Sequence, residues 1–226
     1  MSTEPVFSGL AGRAKQEGTP SSVDLYWLPL GSGEGGRCVR SSGRTYEALT
    51  ALRHDRAPMD LYHSALIVHL DGVAFTIEMT PVWAVTTVDR GVVGEGAVGL
   101  PFLGRARLFR YEVRCWEGGT IPDLAAAVDS PRRVSHDEQL ARRVVDLVPS
   151  FPCATWGRDE QGAGEMWNSN SLTSWLLARS GHDTGAPVTR PPSGGRAPGW
   201  AAGLVVATRQ GRLAPDHPQN ARNPEP

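Results

Sequence analysis

Apolar and polar positions alternate most clearly between residues 61 and 80. Leu61 to Leu70 and Val73 to Thr80 each read as a half-buried strand, and Asp71-Gly72 between them is a strong two-residue hairpin signal. Such a turn sets Leu70 against Val73, Val68 against Phe75, Leu66 against Ile77 and Ala65 against Glu78. The face with Leu66, Val68, Leu70, Val73, Phe75, Ile77 and Met79 is the expected core; the other carries His63, Ala65, Ile67, Thr76, Glu78 and Thr80. Upstream, Val23 to Leu30 reads as a short strand running into a glycine-rich segment, Gly31 to Gly36. Cys38 to Leu52 fits either a hairpin turning at Ser42-Gly43 or a helix with Tyr46, Leu49 and Leu52 as its stripe.

The second half of the chain changes period. Arg107 to Trp116 predicts one more strand, with Leu108, Tyr111 and Val113 inward. Ser135-x-x-Glu138 reads as a capping box for a helix to about Val148, faced by Leu140, Val144, Leu147 and Val148. A further helix starts near Asn168 or Ser169, with Leu172, Trp175 and Leu176 as its stripe and Gly181 as its stop. Thr184 to Pro198 reads as a long loop, and Trp200 to Ala207 as structured chain beyond it. Strands early and helices late predict an α+β fold, with a single domain over residues 23–207 between disordered tails at 1–22 and 208–226.

Composition narrows the function. The chain has 226 residues and net charge −1, which argues against a protein whose main task is to grip nucleic acid or an anionic membrane. Lys15 is the only lysine, so the other cations are arginines. Three widely spaced cysteines (Cys38, Cys115, Cys153) exclude a cysteine zinc ribbon and a dense disulfide framework. No apolar run is long enough to span a membrane, and Met1 to Pro20 lacks a signal-peptide core, so a cytoplasmic protein with reduced thiols is expected.

Two places carry candidate chemistry. His63 and Glu78 are diagonal neighbours on one face of the hairpin, and a carboxylate bonded to an imidazole makes it a better general base. The same pair also reads as an ordinary polar pair on a half-solvated sheet. Farther on, Trp167-Asn168-Ser169-Asn170-Ser171 opens an apolar helix, and Asn and Ser are good N-caps.

Asn168-Ser169-Asn170-Ser171 with Leu176-Leu177 and Gly181 resembles the nucleophile helix of the PPPDE (desumoylating isopeptidase-like) family, circularly permuted papain-like hydrolases. His63-Ser64-Ala65-Leu66-Ile67-Val68 is similar to that family's histidine strand, and the Glu78-Met79 strand end with Pro81-Val82 after it is similar to bacterial permuted papain-like proteins and the lecithin:retinol acyltransferase group. The resemblance covers residues 61–82 and 165–181, with a weaker likeness at Leu25 to Leu30. It implies a permuted papain-like fold, an antiparallel sheet packed against a helix carrying the nucleophile position. It implies His63 as base, Glu78 as its orienting group, and a cleft lined by Asn168, Asn170, Trp167 and Ala65. The family's nucleophile is cysteine; this chain has Ser169. A thiol ionises near neutral pH, whereas a hydroxyl must lose its proton during attack. The resemblance therefore implies either an inactive relative that binds a peptide, an acyl chain or a protein in the former active-site cleft, or a hydrolase or acyltransferase using Ser169, His63 and Glu78. No metal or cofactor is expected.

Other features are weaker. Cys153 lies in a loop about sixteen residues before Ser169 and is a candidate to enter the cleft. The glycine-rich segment lacks dinucleotide or P-loop spacing. His54-Asp55, His136-Asp137 and His182-Asp183 lack metal-ligand spacing. Arg132-Arg133 and Arg142-Arg143 form a local basic cluster. Trp27, Trp83, Trp156, Trp167 and Trp200 fall at element ends or loops, where they line a groove or fill the core.

Overall fold

The computed structural model describes residues 20–32, 36–82, 91–121 and 123–213, with only the backbone course of 36–44. In chain order the elements are β1 (Ser22–Pro29), α1 (Gly36–Arg53), β2 (Asp60–Leu70), β3 (Val73–Pro81), β4 (Val92–Ala97), β5 (Arg110–Glu117), β6 (Arg132–Ser135), α2 (Glu138–Leu147), α3 (Ser169–Ser180), β7 (Gly195–Arg196) and α4 (Trp200–Leu213). The fold is α+β. The sheet runs β4-β5-β3-β2-β1-β6 with antiparallel neighbours, and the two-residue β7 pairs parallel with β2.

The hairpin forms as its alternation predicts. Asp71 (φ 52°) and Gly72 (φ 79°) both sit in the left-handed region, as a turn matched to strand twist requires. Leu70 pairs with Val73, Val68 with Phe75 and Leu66 with Ile77. The ladder ends there, so Ala65 and Glu78 are not a ladder pair.

Strand alternation divides the sheet into two faces. The first carries Val23, Leu25 and Trp27 of β1, Tyr62, Leu66, Val68 and Leu70 of β2, Ile77 and Met79 of β3, and Tyr111 and Val113 of β5. It packs on Ala141 and Val144 of α2, Leu172, Trp175, Leu176 and Leu177 of α3, and Ala202, Val206 and Ala207 of α4. The second carries a small cluster of Leu28, Ala65 and Ile121, flanked by Tyr26, Ile67 and Leu124.

Several expectations change. The ambiguous segment after Cys38 is helical. The strand expected from Arg107 begins at Arg110, because residues 101–109 form two 3-10 turns and leave Leu108 exposed. The cap of α2 is Asp137, whose carboxylate accepts from Leu140 N at 3.0 Å; Ser135 instead ends β6. Glycines at 94 and 96 hid β4 in the sequence. They are needed there: a Cβ at Gly96 would lie 2.4 Å from the Tyr111 ring, and one at Gly94 2.7 Å from Cys153 Sγ. The expected tail from 208 begins as helix, since α4 runs to Leu213. Residues 1–19, 83–90 (with Trp83) and 214–226, and Gly33 to Gly35 of the glycine-rich segment, lie outside the described residues.

The turn gives a direct test. A Cβ at Gly72 would meet nothing within 4 Å, so Gly72→Ala carries only the cost of a left-handed alanine. A loss of about 1 kcal/mol is expected from chemical denaturation.

Candidate functional site

The start of α3 is the most polar buried region of the molecule. Asn168, Ser169, Asn170, Ser171, Thr173 and Ser174 are all buried. Buried polar groups persist only when bonded, and nearly all of these are. Asn168 caps the helix by accepting from Asn170 N at 2.9 Å, and Ser171 Oγ accepts from Asn168 N at 3.2 Å, closing a capping box. Asn168 Nδ2 donates to Pro198 O at 2.9 Å. Asn170 accepts from Ser64 Oγ at 2.9 Å and donates to Tyr62 O and Pro198 O, each at 2.9 Å. Ser171 and Ser174 hydroxyls donate to Gly199 O and Trp200 O, each at 2.8 Å. Glu165 accepts from Gly199 N at 2.8 Å and Ala201 N at 3.3 Å, at the start of α4.

Ser169 and Thr173 are the exceptions: neither hydroxyl has a hydrogen-bond partner among the described residues. Ser169 is 3% exposed as a residue, yet its Oγ is not sealed from solvent; the fully buried side-chain atoms without a partner are Trp27 Nε1 and Arg179 Nε among the described residues. Of the side chains at 168 to 171, Ser169 is the one left out of these bonds.

The other members of the expected triad stand on the second sheet face. His63 pairs across the ladder with Leu28, which belongs to the second-face cluster, while its neighbours Tyr62 and Ser64 turn toward α3. His63 has no hydrogen-bond partner among the described residues. Burial pushes its pKa down to about 4, so the ring is neutral at neutral pH. Glu78 accepts from Arg114 Nη1 at 3.1 Å, its partner in the β3–β5 ladder. Arg114 also donates to Glu112 at 2.8 and 2.6 Å, and all three are buried. No hydrogen bond joins Ser169 to His63, or His63 to Glu78, among the described residues.

The remaining candidates resolve individually. Ala65 is buried beside Leu28 and Ile121. Trp167 is 1% exposed, stacks on Phe151 with ring centroids 5.0 Å apart, and donates to Pro152 O. Trp27 and Trp200 lie 5.2 Å apart, and Trp156 meets Tyr111 edge-on. Burial raises the thiols of Cys115, to about 11, and Cys153, which disfavours a thiolate at either. His182 is buried between Ser180 Oγ (2.8 Å) and Ser135 Oγ (3.2 Å), tying the end of α3 to β6. Three of the four arginines of the basic cluster have partners: Arg133 on Asp24, Arg132 on Arg190 O, and Arg142 on Asp71 and Glu138. No group of three potential metal ligands occurs among the described residues.

Sequence reading missed Ser64, Arg114 and Glu165. The signal for Arg114 was present, since Glu112 and Arg114 alternate with Tyr111 and Val113. Ser64 and Glu165 act through contacts far along the chain and carried no local signal. No family model, curated protein or solved structure matches the chain.

Two measurements follow. Asn170→Ala removes three bonds and leaves Tyr62 O and Ser64 Oγ to find new partners, so a loss of about 2–4 kcal/mol is expected in chemical denaturation. His63 binds a proton in the unfolded chain below its ordinary value of 6.5 but in the folded chain only below about 4. Stability from this group is therefore lost as pH falls from 6.5 to 4 and is unaffected above. The His63 ring resonances should stay those of neutral imidazole down to about pH 4, and His63→Gln should flatten the acid side of the stability curve.

Proposed function

We propose that this chain is a catalytically silent relative of the permuted papain-like hydrolases, one that binds a peptide, an acyl chain or a partner protein through the region around the start of α3. The observation that carries the reading is the state of His63. A base held at about 4 by burial takes a proton from a serine hydroxyl poorly, because general-base strength falls with the pKa of the conjugate acid. The group expected to strengthen it, Glu78, is engaged with Arg114. The helix start is likewise occupied from within: Asn170 N, a donor an oxyanion would need, is bonded to Asn168 Oδ1 at 2.9 Å.

A second reading, a serine-dependent amide or ester hydrolase or acyltransferase, is favoured by the Ser169 hydroxyl. It forms no hydrogen bond among the described residues and is not among the fully buried unpartnered atoms, so it is not committed to the fold and a substrate can meet it.

Labelling by a fluorophosphonate probe separates the two. The silent reading expects none on Ser169; labelling that His63→Ala abolishes establishes the second. Ser169→Cys extends the test. A thiol titrating near the ordinary value of about 8.5, with ordinary alkylation rates, is expected where no imidazolium stabilises thiolate. A thiol titrating well below neutral overturns the silent reading.

A further inference from the structure

The connection between β4 and β5 spends apolar side chains where folding gains nothing. Its two 3-10 turns, Pro101–Arg105 and Arg107–Phe109, bury no residue at all. Phe102 is 65% exposed, Leu108 56%, Phe109 39% and Leu100 38%. This is not a loosely held loop. Leu103 N, Ala106 N and Phe109 N bond back to Leu100, Leu103 and Ala106 carbonyls at 2.9–3.0 Å, Val98 N bonds Phe109 O, and Gly99 N bonds Trp156 O. Arg110 Nε donates to Gly104 O at 2.6 Å, and a Cβ at Gly104 would press on Ala97. The backbone thus holds the apolar side chains outward.

The charge of the same stretch is one-sided. No carboxylate occurs between Glu95 and Glu112, while Arg105, Arg107 and Arg110 fall within it. Arg110 faces Glu95 at 3.4 Å; Arg105 and Arg107 are exposed and form no ion pair among the described residues. The chain's net charge of −1 averages over this patch and hides it.

We propose that the β4–β5 connection docks on an anionic phospholipid surface, with Phe102 and Leu108 entering the interfacial region and Arg105 and Arg107 on lipid phosphates. Arginines alternating with exposed aromatic and aliphatic side chains match a surface that is apolar just below a layer of negative charge. No helix among the described residues is long and apolar enough to cross a membrane, so the contact is peripheral. This inference does not depend on whether Ser169 reacts, and its test reads binding alone.

The test is flotation of the purified full chain with phosphatidylcholine vesicles, with and without phosphatidylserine. Binding is expected only with phosphatidylserine, weakening as salt rises. Replacing Arg105 and Arg107 together by glutamine should weaken it by about 25-fold, some five-fold for each charge. Phe102→Ser should abolish stable binding while leaving the melting temperature unchanged, because the ring is exposed. Absence of binding to either vesicle overturns the proposal, as does equal binding to both or full binding by both variants. Concentration-dependent self-association that Phe102→Ser removes, without vesicle binding, would assign the patch to a second copy of the chain and overturn it equally.

Discussion

One side chain, Asn170, joins three parts of the molecule that are far apart in sequence. Its amide oxygen accepts a hydrogen bond from Ser64 Oγ of β2, and its amide nitrogen donates to the carbonyls of Tyr62 and Pro198. The Tyr62 carbonyl lies beyond the last β2–β3 ladder pair, Leu66 with Ile77, and needs a partner from outside the sheet. Asn170 supplies it from the first turn of α3. The helix is thereby set against the sheet at one level, and the chain returning through Pro198 is held where α4 begins. An asparagine suits this position because it offers both donor and acceptor within one planar group.

Around that node the two packed helices approach closely. A Cβ at Gly203 would lie 2.1 Å from Ser174 Oγ and 2.3 Å from Ser171 O. Small polar residues on α3 and a glycine on α4 make such contact feasible, and hydroxyls bonded to Gly199 and Trp200 carbonyls satisfy the groups it buries. The apolar residues of α3 meanwhile meet the first sheet face. Its uniform burial explains why a helix with so many serines is still a core element.

The second sheet face is organised by charge. Buried carboxylates there are each met by arginine, Asp24 by Arg133 and Glu78 and Glu112 by Arg114, and Glu47 of α1 is likewise met by Arg56 and Arg196. A planar guanidinium can serve two carboxylate oxygens in fixed geometry, which an ammonium cannot. The near absence of lysine, a curiosity of composition, thus has a structural counterpart. The same face holds His63 among groups that desolvate it without bonding it, across the sheet from the face on which α3 packs.

Much of this was legible locally. Alternation and Asp71-Gly72 specified the hairpin and its register, because side-chain period and turn handedness act over a few residues. Asn168, the stripe of α3 and Gly181 marked the helix from cap to stop. β4 gave no alternation to read, because its glycines answer close approaches to Tyr111 and Cys153, and the cap of α2 is decided between Ser135 and Asp137 by their neighbours. The sequence by itself determined which residue types stand at 63, 78 and 169, and that a helix begins near Asn168 or Ser169. Only the tertiary structure decided that Glu78 answers to Arg114, that His63 is desolvated without a partner, and that the Ser169 hydroxyl is left out of the bonds made by Asn168, Asn170 and Ser171. Protonation and hydrogen bonding depend on what lies across space from a group, and no local pattern encodes it.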